Sequence, residues 1–409
     1  MKPNAQPSVS LPCGADERHQ QPQMNKETLT VEPPAQGKRL LFLDALRGFT
    51  MFWIIGGDTL GRSLHQAWPN ALTAELAHQL EHAEWEGFTF YDLIFPLFLL
   101  IVGAVVPYAI LGRLEKGQSK TSIHFHILKR TLVLVFWGLV AYGLLRFDWP
   151  NMRWSTVLGR IGVCYCAASV LALHTTWRTQ AAVATALVVG YWAAMTVIPV
   201  PGYGAGVITP QGSLSTYLDQ HLIPGKLGVD NLYDRQGVLS TFTAIATTLI
   251  GVLTGHWLRG ERSAPQKLKG MILAAVVLLI AGAIWGRCFP ISRNIWSSPF
   301  VLYSAGWGLL LFSLFYGLID VAGFRKWSFF FVVIGANAIA IWVAQGFINF
   351  GPSGYYAGRP SDSISSFFLG GFAKTCFPSC QPVVLALGTI LAKWLVLWVM
   401  FKHRVFLKA

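Results

Sequence analysis

The feature that most constrains this chain is a series of apolar runs, each roughly the 20 residues that a helix needs to cross the hydrocarbon layer of a bilayer. Charged residues make up only 12% of the sequence and hydrophobic residues 53%, whereas a soluble domain carries about 25% charged residues. The sequence therefore predicts an all-α, polytopic transmembrane bundle of about ten spans. The expected spans are 40–60, 88–111, 128–146, 154–174, 180–199, 238–258, 269–286, 299–320, 328–348 and 384–403.

The distribution of Lys and Arg predicts which side of the membrane each loop faces. The short loops after the second, fourth, sixth and eighth expected spans are rich in these residues, as are the segments that flank the first and last spans. Cytoplasmic loops are enriched in Lys and Arg, so both termini are expected in the cytoplasm. The net charge of +13 is explained by these loops and does not indicate a nucleic-acid partner.

Two regions differ from the apolar runs. Residues 1–37 are polar and rich in Pro and Gln, which predicts a disordered cytoplasmic tail ahead of a transmembrane domain over 38–409. On the other side of the membrane, three long loops are expected at 61–87, 200–237 and 349–383. Long loops held by a rigid scaffold often form binding surfaces, so we expect a substrate outside the cytoplasm.

His82 lies in the first of these long loops, just before the second expected span. Its imidazole titrates near neutral pH and suits proton transfer. Asp58 and Asp92 are expected at about the same depth, and a carboxylate beside an imidazole fixes the tautomer and raises the basicity of the ring. Each Asp alone is equally well explained as a helix-end cap. The three groups together predict an acid–base site.

Other polar groups within the apolar runs have two interpretations each. Asp44 and Arg47 share a helix face, either as a structural ion pair or with Arg47 as the counter-charge of an anionic cytoplasmic ligand. Arg160 opens the fourth expected span from the outer side. Asn337 and Gln345 lie within the ninth span, where amides commonly form hydrogen bonds between helices.

Three further patterns indicate little chemistry. The glycine-rich stretch 202–206 lacks the Lys of a phosphate-binding loop and predicts a turn. His124 and His126 have no further ligands near them in the sequence, so no metal site is expected. Cys376 and Cys380 flank Pro378 in an expected outer loop, where an oxidising compartment would favour a disulfide.

A set of short motifs follows one another along residues 39–340. They are RLLFLDALRG at 39–48, HAEWEG at 82–87 followed by DLIFP at 92–96, LGRI at 158–161, YDRQGVLST at 233–241, GVLTG at 251–255, PISRNIWSS at 290–298, AGW at 305–307 and GANAIA at 335–340. In this order and at this spacing they resemble the membrane acetyltransferases typified by heparan-alpha-glucosaminide N-acetyltransferase, with their bacterial relatives. Relatives often carry Asn where this chain has Asp58.

The resemblance implies that acetyl-CoA binds from the cytoplasm and that its acetyl group reaches the amine of a glucosamine-type acceptor outside. It implies that His82 is catalytic, and we expect Asp58 or Asp92 to orient it. The imidazole acts either as a general base on the amine or through an acetyl-His intermediate. Candidate donor-binding residues are Arg47, Lys129, Arg130 and Asn337, the last as a stabiliser of the oxyanion. Candidate acceptor-binding residues are Trp85, Glu86, Arg160, Asp234 and Trp296.

Other classes of function stay open at this stage. A transporter of amino sugars or other small solutes would also use charges within the membrane, but it needs no acetyl-CoA. A structural or assembly protein would leave the grouping of His82, Asp58 and Asp92 unexplained. We expect no metal cofactor, a location in the cytoplasmic membrane of a bacterium, and an ability to pair into a homodimer.

Overall fold

The fold is known from a computed structural model that describes residues 40–351 and 363–407. The tail predicted over residues 1–37 lies outside these ranges. Within them, all regular secondary structure is helical, apart from three isolated β-bridges in loops. The helices are α1 (Leu41–Phe52), α2 (Asp58–Ala67), α3 (Ala71–Gln79), α4 (Phe90–Val106), α5 (Gly112–Glu115), α6 (Lys120–Ala141), α7 (Val157–His174), α8 (Trp177–Val197), α9 (Leu214–Leu222), α10 (Val238–Arg259), α11 (Ala264–Trp285), α12 (Ser298–Phe315), α13 (Phe329–Ala336), α14 (Ala338–Ala344), α15 (Ile364–Cys376) and α16 (Gln381–Lys402).

The described residues contain 8 helical segments that are long and apolar enough to cross a membrane, and 9 if the bent pair α13 and α14 counts as one span. These segments match nine of the ten predicted spans, which agrees with a polytopic helical bundle. The axes of α13 and α14 differ by 58° at Asn337.

The first predicted span, 40–60, is helical but interrupted. A π-helical turn over Trp53–Gly57 separates α1 from α2, and Gly56 within it has φ +152°. Residues with a Cβ rarely adopt that backbone conformation. A Cβ at this position would also lie 2.9 Å from the side chain of Ile390 on α16. The break therefore needs Gly56, and it divides the segment into two pieces that are each too short to span a bilayer.

The spanning helices run alternately up and down, so their connections fall at two ends of the bundle. One end holds the connections before α4, between α8 and α10, and between α11 and α12; we call it the loop face. The opposite end holds the short basic connections. Its assignment to the cytoplasm remains a prediction from the Lys and Arg distribution.

The centre of the bundle is formed by α4 and α10, whose apolar segments are mostly buried, whereas α11 and α8 are mostly exposed on the outside. The two central helices approach closely, since a Cβ at Gly103 would lie 2.0 Å from the carbonyl oxygen of Thr248. Small residues at such positions let helix backbones pack directly in a membrane. This contact, near the short-loop end of α4, fixes the helix at the middle of the bundle.

Candidate active site

The site begins at the first turn of α4. Thr89 and Asp92 form a capping box, in which the carboxylate of Asp92 accepts a hydrogen bond from the backbone N–H of Thr89 at 3.2 Å. Such a pair satisfies N–H groups that have no partner within the helix. The side chain of Asp92 is completely buried, and its Oδ2 also accepts from the backbone N–H of Ala83 at 3.3 Å. The cap therefore holds the 80–89 loop against the helix.

The other oxygen of Asp92 contacts His82. The distance from His82 Nδ1 to Asp92 Oδ1 is 2.8 Å, and the imidazole packs against the ring of Tyr91 with 4.7 Å between centroids. A carboxylate at Nδ1 places the proton on that nitrogen and leaves Nε2 to accept another. Of the two carboxylates predicted to orient His82, Asp92 is the one in contact with it.

Arg293 approaches the same carboxylate from the connection between α11 and α12. Its Nε lies 3.8 Å from Asp92 Oδ1, which is too long for a hydrogen bond but within ion-pair distance. Backbone contacts fasten this connection to the 80–89 loop: the N–H of Gly87 donates to the carbonyl of Ile291 at 2.9 Å. The side chain of Asn294 donates to the carbonyl of Glu84 at 2.6 Å. The two segments are thus held together around His82.

These surroundings set the protonation state of His82. Burial lowers the pKa of its imidazole, the charge of Arg293 lowers it further, and the hydrogen bond and charge of Asp92 partly oppose both effects. The resulting pKa is about 4, compared with an ordinary value of 6.5. His82 is therefore neutral at physiological pH, which is the form that a base requires.

His82 and Arg293 line a cavity that continues into the bundle. The cavity has a volume of about 80 Å³ and is partly open. Its polar lining comes from His82, Arg293, Gln236 and Tyr91. Its remaining lining is apolar and comes from α1, α4, α7 and α14: Met51, Ile54, Ile94, Phe95, Phe98, Val157, Leu158, Ile161, Ile339 and Trp342. Known ligand sites combine a mostly apolar wall with a few convergent polar groups in the same way.

Asp234 lies in a charged network beside the cavity. Arg153 donates to both of its oxygens, at 2.9 and 2.7 Å, and also donates to the side chain of Gln236. Backbone N–H groups of Gly228 and Gln236 donate to the same carboxylate at 2.9 and 2.8 Å. Because its oxygens already accept these bonds, Asp234 positions Gln236 in the cavity wall.

Arg160 and Trp296 form a second buried pair. One amino group of the Arg160 guanidinium donates to the carbonyl of Gly237 and the hydroxyl of Ser240, and the guanidinium lies 5.3 Å from the ring of Trp296. The indole of Trp296 is 1% exposed and donates to Thr247. These two predicted acceptor-binding residues lie within the protein beside the loop-face site.

Trp85 and Glu86 lie on the loop itself. The indole N–H of Trp85 donates to the carbonyl of Ile208 at 2.8 Å, and its ring packs edge-on against Tyr233. Glu86 is exposed. Both remain accessible from the loop-face end, as an acceptor-binding role would require.

Asp58 has different neighbours. Its carboxylate accepts from Arg62, one helical turn along α2, at 2.7 Å, and from the hydroxyl of Thr59. The completely buried Lys393 of α16 lies close enough for electrostatic attraction and donates to the carbonyl of Ile55 at 2.6 Å. The prediction that Asp58 orients His82 is therefore not supported by its contacts. Asp58 belongs with the break between α1 and α2.

The predicted donor-binding residues lie on several helices. Arg47 pairs with Asp44 at 3.4 Å, and Lys129 on α6 is exposed. The guanidinium of Arg130 lies 4.5 Å from the ring of Tyr165. Arg47 lies in the middle of α1, and Lys129 and Arg130 lie in the middle of α6.

Asn337 is engaged elsewhere. Its amide donates to the carbonyl of Val405 and accepts from the N–H of Leu407, both at 3.0 Å. These two bonds fasten the end of the chain to the bend between α13 and α14. A role for Asn337 as stabiliser of an oxyanion has no support in this geometry, because both ends of the amide are already used.

Two sequence expectations concern metals and disulfides. Cys376 and Cys380 are free thiols in the structure, so the disulfide considered for this loop is not formed. Among residues 40–351 and 363–407, no cluster of three His, Cys, Asp or Glu side chains has the arrangement of a metal site. His124 instead stacks on His174.

Sequence reasoning did not single out Arg293, Gln236 or Lys393. Lys393 had a visible signal, since a single Lys within an apolar run predicts a buried partner. Arg293 and Gln236 lie in two of the motifs that carry the family resemblance, but only the folded chain brings their connections beside His82.

Comparisons with known proteins find a family match and two curated relatives. Residues 39–206 match a family described as a domain of unknown function (DUF5009). The chain is 25% identical over 326 residues to human heparan-alpha-glucosaminide N-acetyltransferase, which covers 65% of this chain and 48% of the human protein. The mouse protein of that name is 25% identical over 323 residues, covering 65% and 49%. The chain spans about half the length of these curated relatives. It is a multi-pass helical protein and a distant relative of the heparan-alpha-glucosaminide N-acetyltransferases.

Proposed function

We propose that this protein is an integral membrane acetyltransferase that transfers the acetyl group of cytoplasmic acetyl-CoA to the amine of a glucosamine-type acceptor on the other side of the membrane. The observation that carries the proposal is the 2.8 Å contact between His82 Nδ1 and Asp92 Oδ1 in the wall of an intramembrane cavity. The names of the two curated relatives supply the acceptor class and the acetyl transfer.

The chemistry needs one base. The nitrogen of the neutral amine attacks the thioester carbonyl carbon, and His82 Nε2 takes the proton that the amine loses. When the tetrahedral intermediate collapses, the C–S bond breaks and the proton passes from His82 to the departing sulfur. General acid–base catalysis of this kind contributes roughly 10²- to 10⁴-fold. Asp92 stabilises the imidazolium that exists between the two transfers.

The cavity suits the donor. A pantetheine arm is long and narrow, and its methylene and methyl groups suit the apolar walls from α1, α4, α7 and α14. Its two amides need polar partners, which the polar part of the lining offers. In the proposal, the arm enters between these helices and carries the thioester to His82. Arg47, Lys129 and Arg130 are the candidate cations for the phosphates of CoA.

The acceptor approaches from the loop face. Trp85 and Glu86 lie on the same loop as His82, and Gln236 lines the cavity beside it. An aromatic ring and a carboxylate are common partners of a sugar ring and an amine. Asp234, Arg160 and Trp296 support this region from within rather than by direct contact.

The test is transfer of radiolabelled acetyl groups from acetyl-CoA to glucosamine and related amino sugars by the purified protein in detergent. We expect transfer by the wild-type protein and its loss in His82→Ala, with unchanged gel-filtration behaviour. His221→Ala is the matched control, because His221 is also at the loop-face end but is exposed and bonded to its own helix. Normal turnover by His82→Ala would reject the role of His82.

A second measurement separates an enzyme from a transporter. Any ligand that binds the native state raises thermal stability, so acetyl-CoA should raise the melting temperature of the wild-type protein. Acetyl-CoA without an acceptor should also distinguish the two routes: labelled protein indicates an acetyl-His intermediate, and unlabelled protein indicates direct transfer. Uptake of amino sugars into vesicles without acetylation would favour transport.

A further inference from the structure

Among the described residues that line the cavity, Arg293 is the one charged side chain, and His82 lies beside it in the neutral form. Its side chain is 12% exposed and lies 3.8 Å from Asp92 Oδ1, the same oxygen that contacts His82. Two hydrogen bonds hold the connection between α11 and α12, which carries Arg293. The backbone N–H of Ser292 donates to the hydroxyl of Ser297 at 3.0 Å, and Ile291 is bonded to Gly87. A guanidinium is thus held beside the proposed base, facing the cavity.

We propose that Arg293 stabilises the negative charge that forms on the acetyl carbonyl oxygen when the acceptor amine attacks. The inference rests on the proposed function and adds a catalytic residue to it. As the N–C bond forms, the π electrons of the carbonyl move onto its oxygen. As the C–S bond breaks, they return to the carbonyl, and the sulfur leaves with the proton that His82 had taken. A cation fixed before the reaction is an effective stabiliser of such charge in a water-poor site.

Among the described residues, the other cations near the site and Asn337 are not part of the cavity lining. Arg160 donates to Gly237 and Ser240. Arg235 donates to Asn294 at 3.1 Å and is not part of the cavity lining. Asn337 is bonded to the end of the chain. Arg293 is therefore the donor that combines a charge, a position in the cavity wall and proximity to His82.

The shared carboxylate links the two roles. His82 Nδ1 and Arg293 Nε both approach Asp92 Oδ1, at 2.8 and 3.8 Å. The guanidinium stabilises the oxyanion while the carboxylate stabilises the imidazolium, so both charges that form at this stage of the reaction have a partner in place. The other ionisable groups around His82 are Tyr91 on α4, Arg235 and Tyr233 before α10, and the exposed Glu81, Glu84 and Glu86 on its own loop.

The experiment compares Arg293→Gln and Arg293→Lys with Arg235→Gln in the acetyl-transfer assay. Loss of one oxyanion donor typically lowers kcat by roughly 10²- to 10³-fold. We expect that loss in Arg293→Gln, with acetyl-CoA still raising the melting temperature and little change in its KM. Arg293→Lys should recover part of kcat, and added guanidinium ion should recover part of it in Arg293→Ala. Arg235→Gln should keep kcat within a few-fold of wild type.

The pH profile tests separately whether the charge of Arg293 acts on His82. The charge of Arg293 is among the causes that lower the pKa of His82 to about 4, and that of Arg235 is a smaller one. Removing Arg293 should move the acidic limb of kcat/KM to higher pH, and removing Arg235 should move it less. The kcat of Arg293→Gln is compared with that of the wild-type protein at a pH above the acidic limbs of both profiles, so that His82 is neutral in both proteins.

Several results would overturn the inference. Wild-type kcat in Arg293→Gln, or a change confined to the KM of acetyl-CoA, would exclude a role in the transition state. If Arg293→Gln does not fold, Arg293→Lys decides: lowered kcat with an intact acetyl-CoA effect on melting supports the role, and wild-type kcat rejects it. Absence of transfer by the wild-type protein would instead refute the proposed function itself.

Discussion

Two groups of buried charges lie at the loop-face half of the bundle, and they serve different purposes. The cavity cluster consists of His82, Asp92 and Arg293, which surround one end of an internal space. The break cluster consists of Asp58, Arg62 and Lys393, which surround the π-helical turn between α1 and α2. Their residue types are similar. Their partners differ. In the cavity cluster, His82 lines the cavity and uses one ring nitrogen to contact Asp92. In the break cluster, Lys393 donates a hydrogen bond to a backbone carbonyl, that of Ile55.

The difference shows why a buried charge alone does not indicate catalysis. In the break cluster, the ammonium of Lys393 donates to the carbonyl of Ile55 and to the side chain of Gln345 at 3.3 Å. A buried carbonyl without a donor costs about 1–3 kcal/mol, so this lysine is explained by the local backbone. In the cavity cluster, the capping role of Asp92 uses one carboxylate oxygen and leaves the other for His82.

The largest expected contrast is between the two aspartates. Asp92→Asn removes the charge that stabilises the imidazolium and allows the wrong tautomer of His82, so acetyl transfer should fall by roughly 10²- to 10⁴-fold. Asp58→Asn should keep transfer within a few-fold of wild type. Initial rates at saturating acetyl-CoA measure both. An equal loss of acetyl transfer in the two variants would show that the two clusters do not differ in their role in catalysis.

A smaller effect, on stability rather than rate, is expected from Lys393→Met. The substitution leaves the carbonyl of Ile55 and the amide oxygen of Gln345 without the ammonium, so the melting temperature in detergent should fall. The exposed Lys402 on the same helix provides the control variant Lys402→Met. An unchanged or higher melting temperature in Lys393→Met would mean that the cost of burying the ammonium exceeds the value of its hydrogen bonds.

The smallest expected effect is the pH dependence of stability that comes from His82. Its folded-state pKa of about 4 lies below the ordinary value of 6.5, so between these values the unfolded chain binds more protons and stability falls as the pH falls. His82→Gln should show a shallower decrease in melting temperature from pH 6.5 to pH 4. Asp219, whose pKa burial raises to about 7, contributes with the opposite sign but equally to both proteins. Parallel curves would show that His82 is not held neutral.

The sequence predicted the spanning helices well, because bilayer thickness fixes both their length and their apolar character. It placed both Asp58 and Asp92 at about the depth of His82, and the structure brings Asp92 into contact with the imidazole. Asp58 instead pairs with Arg62, which lies four residues later on the same helix face. The contribution of Arg293 depends on a contact between segments about 200 residues apart in the sequence, which local patterns do not encode.

The hydrogen bonds of Asn337 have a practical consequence for handling the protein. Val405 and Leu407 hold the corner between α13 and α14, and α14 supplies Ile339 and Trp342 to the cavity wall. A deletion after Lys402 removes Val405 and Leu407, and with them both hydrogen bonds to Asn337. We expect it to loosen the wall of the cavity that α14 forms. Affinity tags and fusion partners therefore belong beyond residue 407 with a flexible spacer, so that residues 405–407 keep their contacts with Asn337.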